Sequence, residues 1–264
     1  MAPRLTLFPD RAGALERFVA SAAEVRDAPV IVLDLRRAGG GSDRYLLRFF
    51  RRLVRQPLRY WETDALTSEA TLQGALTFWG CVRALQEADA GGRSWLDSRV
   101  ARARRELDEA MRARGPFRER RREARVLPGL APRPFGGRLL LVVDGGCSSA
   151  CETSVLLARQ IPGALVVGEN TDGTMKVGEL RWYRLPESRI FLSLGMRAHR
   201  DPFGDFEETR GFLPDLWLTA DDPDAQIRAL AGCLADPACA ASLPTPVRGG
   251  ARGRGAADRS MLGR

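Results

Sequence analysis

Three runs of consecutive apolar residues stand out along the chain: Val30-Ile31-Val32-Leu33-Asp34-Leu35, Leu139-Leu140-Leu141-Val142-Val143-Asp144, and Ala164 to Gly168. Runs of this length without polar alternation predict strands covered on both faces, as in a parallel sheet. The first is followed by Gly39-Gly40-Gly41, the second by the loop Gly145 to Ser148. Elsewhere the period is helical. Leu15, Phe18, Val19 and Ala22 predict a helix over 13–26, stopped by Pro29. Further helices are predicted from about Asp43 to Val54, from Ser149 to about Gln160, and from Ala225 to Leu234.

The remaining segments are less regular. Residues 57–80 read as irregular or mixed, with Leu58 to Glu62 a candidate strand. Residues 94–125 read as a long Arg-rich amphipathic helix or helix pair, broken near Gly115-Pro116. Residues 126–137 carry three Pro and three Gly and read as a loop. Trp182 to Leu185 and Ile190 to Leu194 predict two strands about a Pro-Glu-Ser turn, and Leu216 to Thr219 a last strand. Together these elements predict one α/β domain over residues 1–240 with a helical insertion at about 94–125. Residues 243–264, rich in Gly and Arg, are expected to be a disordered tail.

The net charge is +8, but of 41 basic residues only Lys176 is lysine, so 40 are arginine. The arginines concentrate in Arg99 to Arg125 and after Pro246, without aromatic interleaving and without a nucleic-acid-binding signature. They read as a solvated helix face and a tail, and no nucleic-acid partner is expected. The five cysteines are widely spaced, there is no CxxC, and His199 is the only histidine, so no metal site is expected. Cys233 and Cys239, flanking an Ala/Asp/Pro segment, are a candidate disulfide for an oxidising compartment. Met1 to Phe8 does not read as a signal peptide, and no apolar run reaches membrane-spanning length.

Four features could carry chemistry. The triple glycine after Leu35 lets backbone N–H groups approach a ligand closely, for a phosphate or an oxyanion, or it is a plain turn. It lacks the Gly-Lys-Ser/Thr of a P-loop and the last glycine of a dinucleotide fingerprint. In Cys147-Ser148-Ser149-Ala150-Cys151-Glu152, Ser149 opens a helix. That is the place of an N-cap, with Glu152 completing a capping box, and equally of an exposed nucleophile beside the Ala150 N–H. Lys176 is a candidate base, because a lysine can surrender a proton and an arginine cannot. His199 is a second candidate base or an ordinary hydrogen-bonding residue.

In order, these segments resemble the tail-specific, or carboxy-terminal processing, serine protease family. Val30 to Arg36 with Gly39-Gly40-Gly41 is similar to that family's strand, Asp-Leu-Arg and glycines. Ser149-Ala150-Cys151-Glu152 is similar to its Ser-Ala-Ser-Glu, and Gly168 to Gly173 to its Gly-Glu-x-Thr-x-Gly. Leu185-Pro186 matches a later turn, and Glu208 with Gly211-Phe212-Leu213-Pro214-Asp215 the closing element. The resemblance spans roughly Leu5 to Thr219.

It implies a crotonase-like mixed sheet with flanking helices. It implies Ser149 as nucleophile of an endopeptidase, with the N–H groups of Ala150 and of Gly40 or Gly41 as oxyanion hole. Its substrate would be a peptide held as an extended strand at a sheet edge, with no cofactor, and its setting secreted or periplasmic. Two departures stand out. Thr174 occupies the place of one branch's lysine, with Lys176 two residues on, and Arg4 to Phe8, the other branch's early strand, carries no histidine, although Glu208 matches its glutamate. Lys176, Glu208 and His199 therefore all stand as bases to test, against a catalytically inactive peptide-binding relative. The family's upstream region, often with a PDZ domain, has no counterpart, so a truncated or degenerate form is expected.

Overall fold

The computed structural model describes residues 13–85, 90–112, 118–218 and 221–243. The early strand expected at Arg4 to Phe8 and the tail from 244 to 264 lie outside the described residues. The first half runs α1 (Ala14–Glu24), β1 (Val30–Asp34), α2 (Arg44–Leu53), β2 (Leu58–Arg59), β3 (Glu62–Ser68), α3 (Glu69–Leu85) and α4 (Ala90–Arg112). It continues with β4 (Arg118–Glu123), β5 (Val126–Leu127), β6 (Arg138–Val143), α5 (Ala150–Ala158) and β7 (Leu165–Gly168). The last elements are β8 (Val177–Arg184), β9 (Phe191–Arg200), β10 (Leu216–Trp217), α6 (Pro223–Ala235) and α7 (Pro237–Ser242).

The three apolar runs become neighbours in a parallel sheet of order β1-β6-β7-β10. Successive side chains of a strand point to opposite faces, and β6 fills both. Leu139, Leu141 and Val143 join α1, α2 and α5 in one core, through partners such as Val19, Phe50 and Leu156. Leu140 and Val142 join Ile227 and Leu234 of α6 in the other. Full burial of each such side chain contributes roughly 1.5–3 kcal/mol, which fixes β6 as the central strand and its carboxyl end as a rigid platform. Stacking of Phe18 on Phe49, centroids 4.5 Å apart, joins α1 to α2.

A second sheet, antiparallel and of order β4-β3-β9-β8, carries α3 and α4. Phe78, Val82 and Leu96 form their contact, with Trp79, Trp95 and Trp182 packed around it. Three readings of the sequence are corrected here. Residues 94–125 are not helical throughout: α4 ends at Arg112, and Arg118–Glu123 is a strand paired with β3. Residues 57–80 are ordered as β2, β3 and most of α3. The loop at 126–137 includes β5, paired with β2. The strands about Leu185 to Ile190 form the β8–β9 hairpin, which is longer than expected. Cys233 of α6 and Cys239 of α7 are disulfide-bonded.

Candidate active site

The carboxyl ends of β1 and β6 feed two loops that are tied together. Asp144 Oδ1 accepts the Arg37 N–H at 2.8 Å and the Gly146 N–H at 3.0 Å. The Ser148 N–H donates to Ala38 O at 3.2 Å. Gly40 has φ +83°, and a Cβ there would lie 2.7 Å from Ser148 O and 3.0 Å from Ser149 Cβ. Only glycine lets the first loop lie this close to Ser149. The Gly40 N–H turns back to Ala38 O at 2.7 Å. The N–H groups of Gly41 and of Ala150, the first residue of α5, donate to no acceptor among the described residues. Of the glycine donors expected from sequence, Gly41 is thus the open one.

Ser149 has φ 53° and ψ −108°, a region costly for a residue with a side chain. Glu152 holds it there. This fully buried carboxylate accepts four hydrogen bonds. Oε2 takes the Ser149 N–H at 3.0 Å and the Thr174 N–H at 3.1 Å. Oε1 takes the Thr171 hydroxyl at 2.8 Å and the Gly173 N–H at 2.7 Å. Burial pushes the Glu152 pKa up, and these four donors oppose it. A carboxylate offers about four acceptor positions, so Glu152 is saturated as a clamp.

The clamp joins the remaining motifs. The Asp172 N–H donates to Cys147 O at 3.0 Å, and the Ser148 and Thr174 hydroxyls lie 2.6 Å apart. Thr171 Oγ1 also accepts the Phe212 N–H at 2.8 Å. Gly211, at φ +74°, would put a Cβ 2.2 Å from that same oxygen. Asp215 Oδ2 accepts the Val166 N–H at 2.8 Å, seating the closing segment on β7. Segments distant in sequence are thereby folded onto the start of α5.

The candidate bases group with one another. The Lys176 N–H donates to Glu208 Oε2 at 2.8 Å, and the His199 N–H to Lys176 O at 2.7 Å. Lys176 and His199 line a cleft of about 380 Å³ with Asp64, Arg122 and Asp201. Lys176 is exposed. His199 is buried, its Nδ1 has no partner, and burial pushes its pKa down to about 4, so the ring is neutral at neutral pH. Its ring lies edge-on to Trp61, centroids 6.4 Å apart, and the Trp61 Nε1–H donates to Thr153 of α5 at 3.0 Å. Among the described residues, no hydrogen bond joins Lys176, Glu208 or His199 to Ser149. A larger cleft of about 730 Å³, between α3, α4 and the antiparallel sheet, is lined by none of the candidate residues.

Two features escaped the sequence. Cys147 is disulfide-bonded to Cys151 across Ser149. Asp43, two residues past Gly41, accepts a hydrogen bond from the Tyr60 hydroxyl. Burial pushes both pKa values up, for Asp43 against the opposing Tyr60 bond. The i,i+4 cysteine spacing was a visible signal for the first, whereas nothing local links Asp43 to Tyr60.

Comparison with known proteins agrees with this geometry. The model of peptidase family S41 matches residues 4–218. No curated protein matches the chain. Among solved structures, mature CPAF superposes with TM-score 0.56 at 16% identity, over 90% of this chain and 50% of that one. Mature CPAF complexed with lactacystin gives 0.55 at 17%, over 87% and 48%. A candidate peptidase from Parabacteroides merdae gives 0.52 at 16%, over 83% and 56%. These likenesses establish the fold, and the chain spans about half the length of the structures it matches.

Proposed function

Since the chain belongs to peptidase family S41, we propose that it is a serine-type endopeptidase acting through an acyl-enzyme on Ser149. In this reading the Ser149 hydroxyl attacks a peptide carbonyl. The N–H groups of Ala150 and Gly41 receive the developing oxyanion, and water releases the acyl group. The observation that carries the proposal is the turn at Ser149: a strained φ, a glycine loop pressed against it at Gly40, and the N–H groups of the next residue, Ala150, and of Gly41 in that loop left without an acceptor among the described residues. The substrate would lie extended along β1, the edge strand that runs into the glycine loop.

Lys176 is the proposed proton acceptor. Its support is connectivity: Thr174, two residues earlier, touches Ser148, and Glu208 holds the Lys176 amide. A lysine base must be desolvated, so an exposed Lys176 requires the substrate to cover the cleft. Hydrolysis of unfolded casein tests the proposal. Ser149→Ala should abolish turnover, and Lys176→Arg should lower it as severely as Lys176→Met, since arginine keeps its proton. Turnover retained by Ser149→Ala would refute the nucleophile, and turnover retained by Lys176→Arg would refute the base. A folded wild type without turnover would point to the inactive peptide-binding relative.

A further inference from the structure

Ser149 lies inside a covalent ring. The bond between Cys147 and Cys151, Cα atoms 5.2 Å apart, encloses Ser148, Ser149 and Ala150. The enclosed segment holds the proposed nucleophile and one proposed oxyanion donor. Both cysteines are fully buried. The Cys147 N–H donates to Asp144 O at 2.9 Å, and Cys147 O accepts the Asp172 N–H at 3.0 Å. The Cys151 N–H donates to Ser148 O at 3.0 Å. The ring is thus pinned to β6 on one side and to the loop after β7 on the other.

We propose that Cys147 and Cys151 form a positioning pair for Ser149, whose disulfide keeps the turn competent and whose reduction by a dithiol switches it off. The proposal rests on the reading of Ser149 as nucleophile. A short ring constrains the unfolded chain least, because that effect grows with loop length, so its consequence is local. Ser149 occupies a backbone region that persists only when its surroundings over-determine it. Two unbonded sulfurs need more separation than two bonded ones, and a close-packed core has no spare room for it. The backbone directly between the two cysteines is the Ser148–Ala150 segment. Reduction therefore displaces the nucleophile relative to the Ala150 and Gly41 N–H groups, and misplacement of about 1 Å can cost roughly 10²-fold in rate.

The chemistry balances with one reagent. Two electrons and two protons pass from a dithiol to the Cys147–Cys151 bond, giving two thiols and leaving the dithiol as a cyclic disulfide. The second disulfide, Cys233–Cys239, joins α6 to α7 on the far face of the parallel sheet and does not touch the turn. The one free cysteine among the described residues, Cys81, lies in α3. Activity would then belong to an oxidising compartment or follow dithiol supply.

The test is the rate at which a fluorophosphonate labels Ser149. It is read by mass spectrometry in oxidised protein, in protein reduced with dithiothreitol (after denaturation and refolding if the native bond resists), and in protein reoxidised afterwards. Alkylation reports the thiol state of Cys147 and Cys151, and circular dichroism reports the fold. Reduction should slow labelling at least about tenfold, and reoxidation should restore it. Cys147→Ala/Cys151→Ala should label at a rate that dithiothreitol does not change, while Cys233→Ala/Cys239→Ala should keep the full response. Should the double variant at the turn not fold, reduced wild type supplies the same comparison. Equal rates for folded oxidised and reduced protein would overturn the proposal. No labelling of the oxidised protein would overturn the nucleophile reading first, and this proposal with it.

Discussion

Glu152→Gln is the sharpest probe of how the site is held, because it changes one atom and a charge. Glu152 Oε1 serves the Thr171 hydroxyl and the Gly173 N–H, and Oε2 serves the Ser149 and Thr174 N–H groups. A glutamine amide has one oxygen and one NH₂. If the NH₂ takes the Oε2 place, two backbone donors face a donor. If it takes the Oε1 place, the Gly173 N–H does. The Thr171 hydroxyl would also have to reverse while still accepting the Phe212 N–H. Each buried donor left unsatisfied costs about 1–3 kcal/mol, partly offset because a neutral amide is cheaper to bury than a carboxylate. The expected loss is about 2–4 kcal/mol, or a fall in Tm of roughly 5–15 °C for a domain of this size. Urea titration at pH 7 with matched thermal melts measures it. A loss below about 0.5 kcal/mol at unchanged m-value would refute the four-acceptor clamp, because only a protonated carboxylic acid, already a donor, tolerates the amide so easily.

Two further predictions rest on equally specific contacts. Gly40→Ala forces a Cβ to within 2.7 Å of Ser148 O at φ +83°, so kcat for casein hydrolysis should fall about 10²-fold or more with little change in KM; activity within threefold of wild type would contradict the packing of the glycine loop on Ser149. His199 has its pKa pushed from 6.5 to about 4 by burial, so above pH 6.5 folded and unfolded chains carry the same neutral ring. As the pH falls from 6.5 to 4 the unfolded chain alone takes up the proton, and stability drops by up to about 3 kcal/mol at 1.36 kcal/mol per pH unit. His199→Gln should lose that part of the acid sensitivity, and denaturant titrations of both proteins at pH 7 and pH 4 with the same difference would contradict the burial of a neutral ring.

The parallel half of the fold was legible because its inner strands β6 and β7 are buried on both faces, whereas β1, at the sheet edge, leaves Val32 exposed and is covered less than its apolar run predicts. Leu139 to Val143 can only be a buried run, and its two faces meet different helices. The antiparallel half hid itself in two ways. Arg118–Glu123 carries no apolar residue, so as a strand it depends on pairing with β3, which no local pattern shows. In α3, which the sequence left within an irregular or mixed stretch, a Cβ at Gly74 would meet Tyr183 Cζ at 2.7 Å and Arg181 Cβ at 2.9 Å. That glycine is what lets the helix approach β8. At the site, the glycine loop and the turn at Ser149 could be named from sequence because their chemistry is local. The role of Glu152 could be read only as a helix cap. Three of its four donors come from the helix-distant segment Thr171 to Thr174, or from its neighbourhood in space. The bases stayed ambiguous for the same reason, since burial separates neutral His199 from exposed Lys176 and spacing does not.

The central claim is that Ser149 is a nucleophile and not merely the residue that opens α5. Incubating the oxidised, folded protein with a fluorophosphonate and mapping the adduct by peptide mass spectrometry tests it most directly. One adduct per chain is expected, on Ser149 and not on Ser148, lost in Ser149→Ala and slowed in Lys176→Met. A folded protein in which Ser149 stays unmodified, or which labels equally well without it, would show that Ser149 is not the nucleophile.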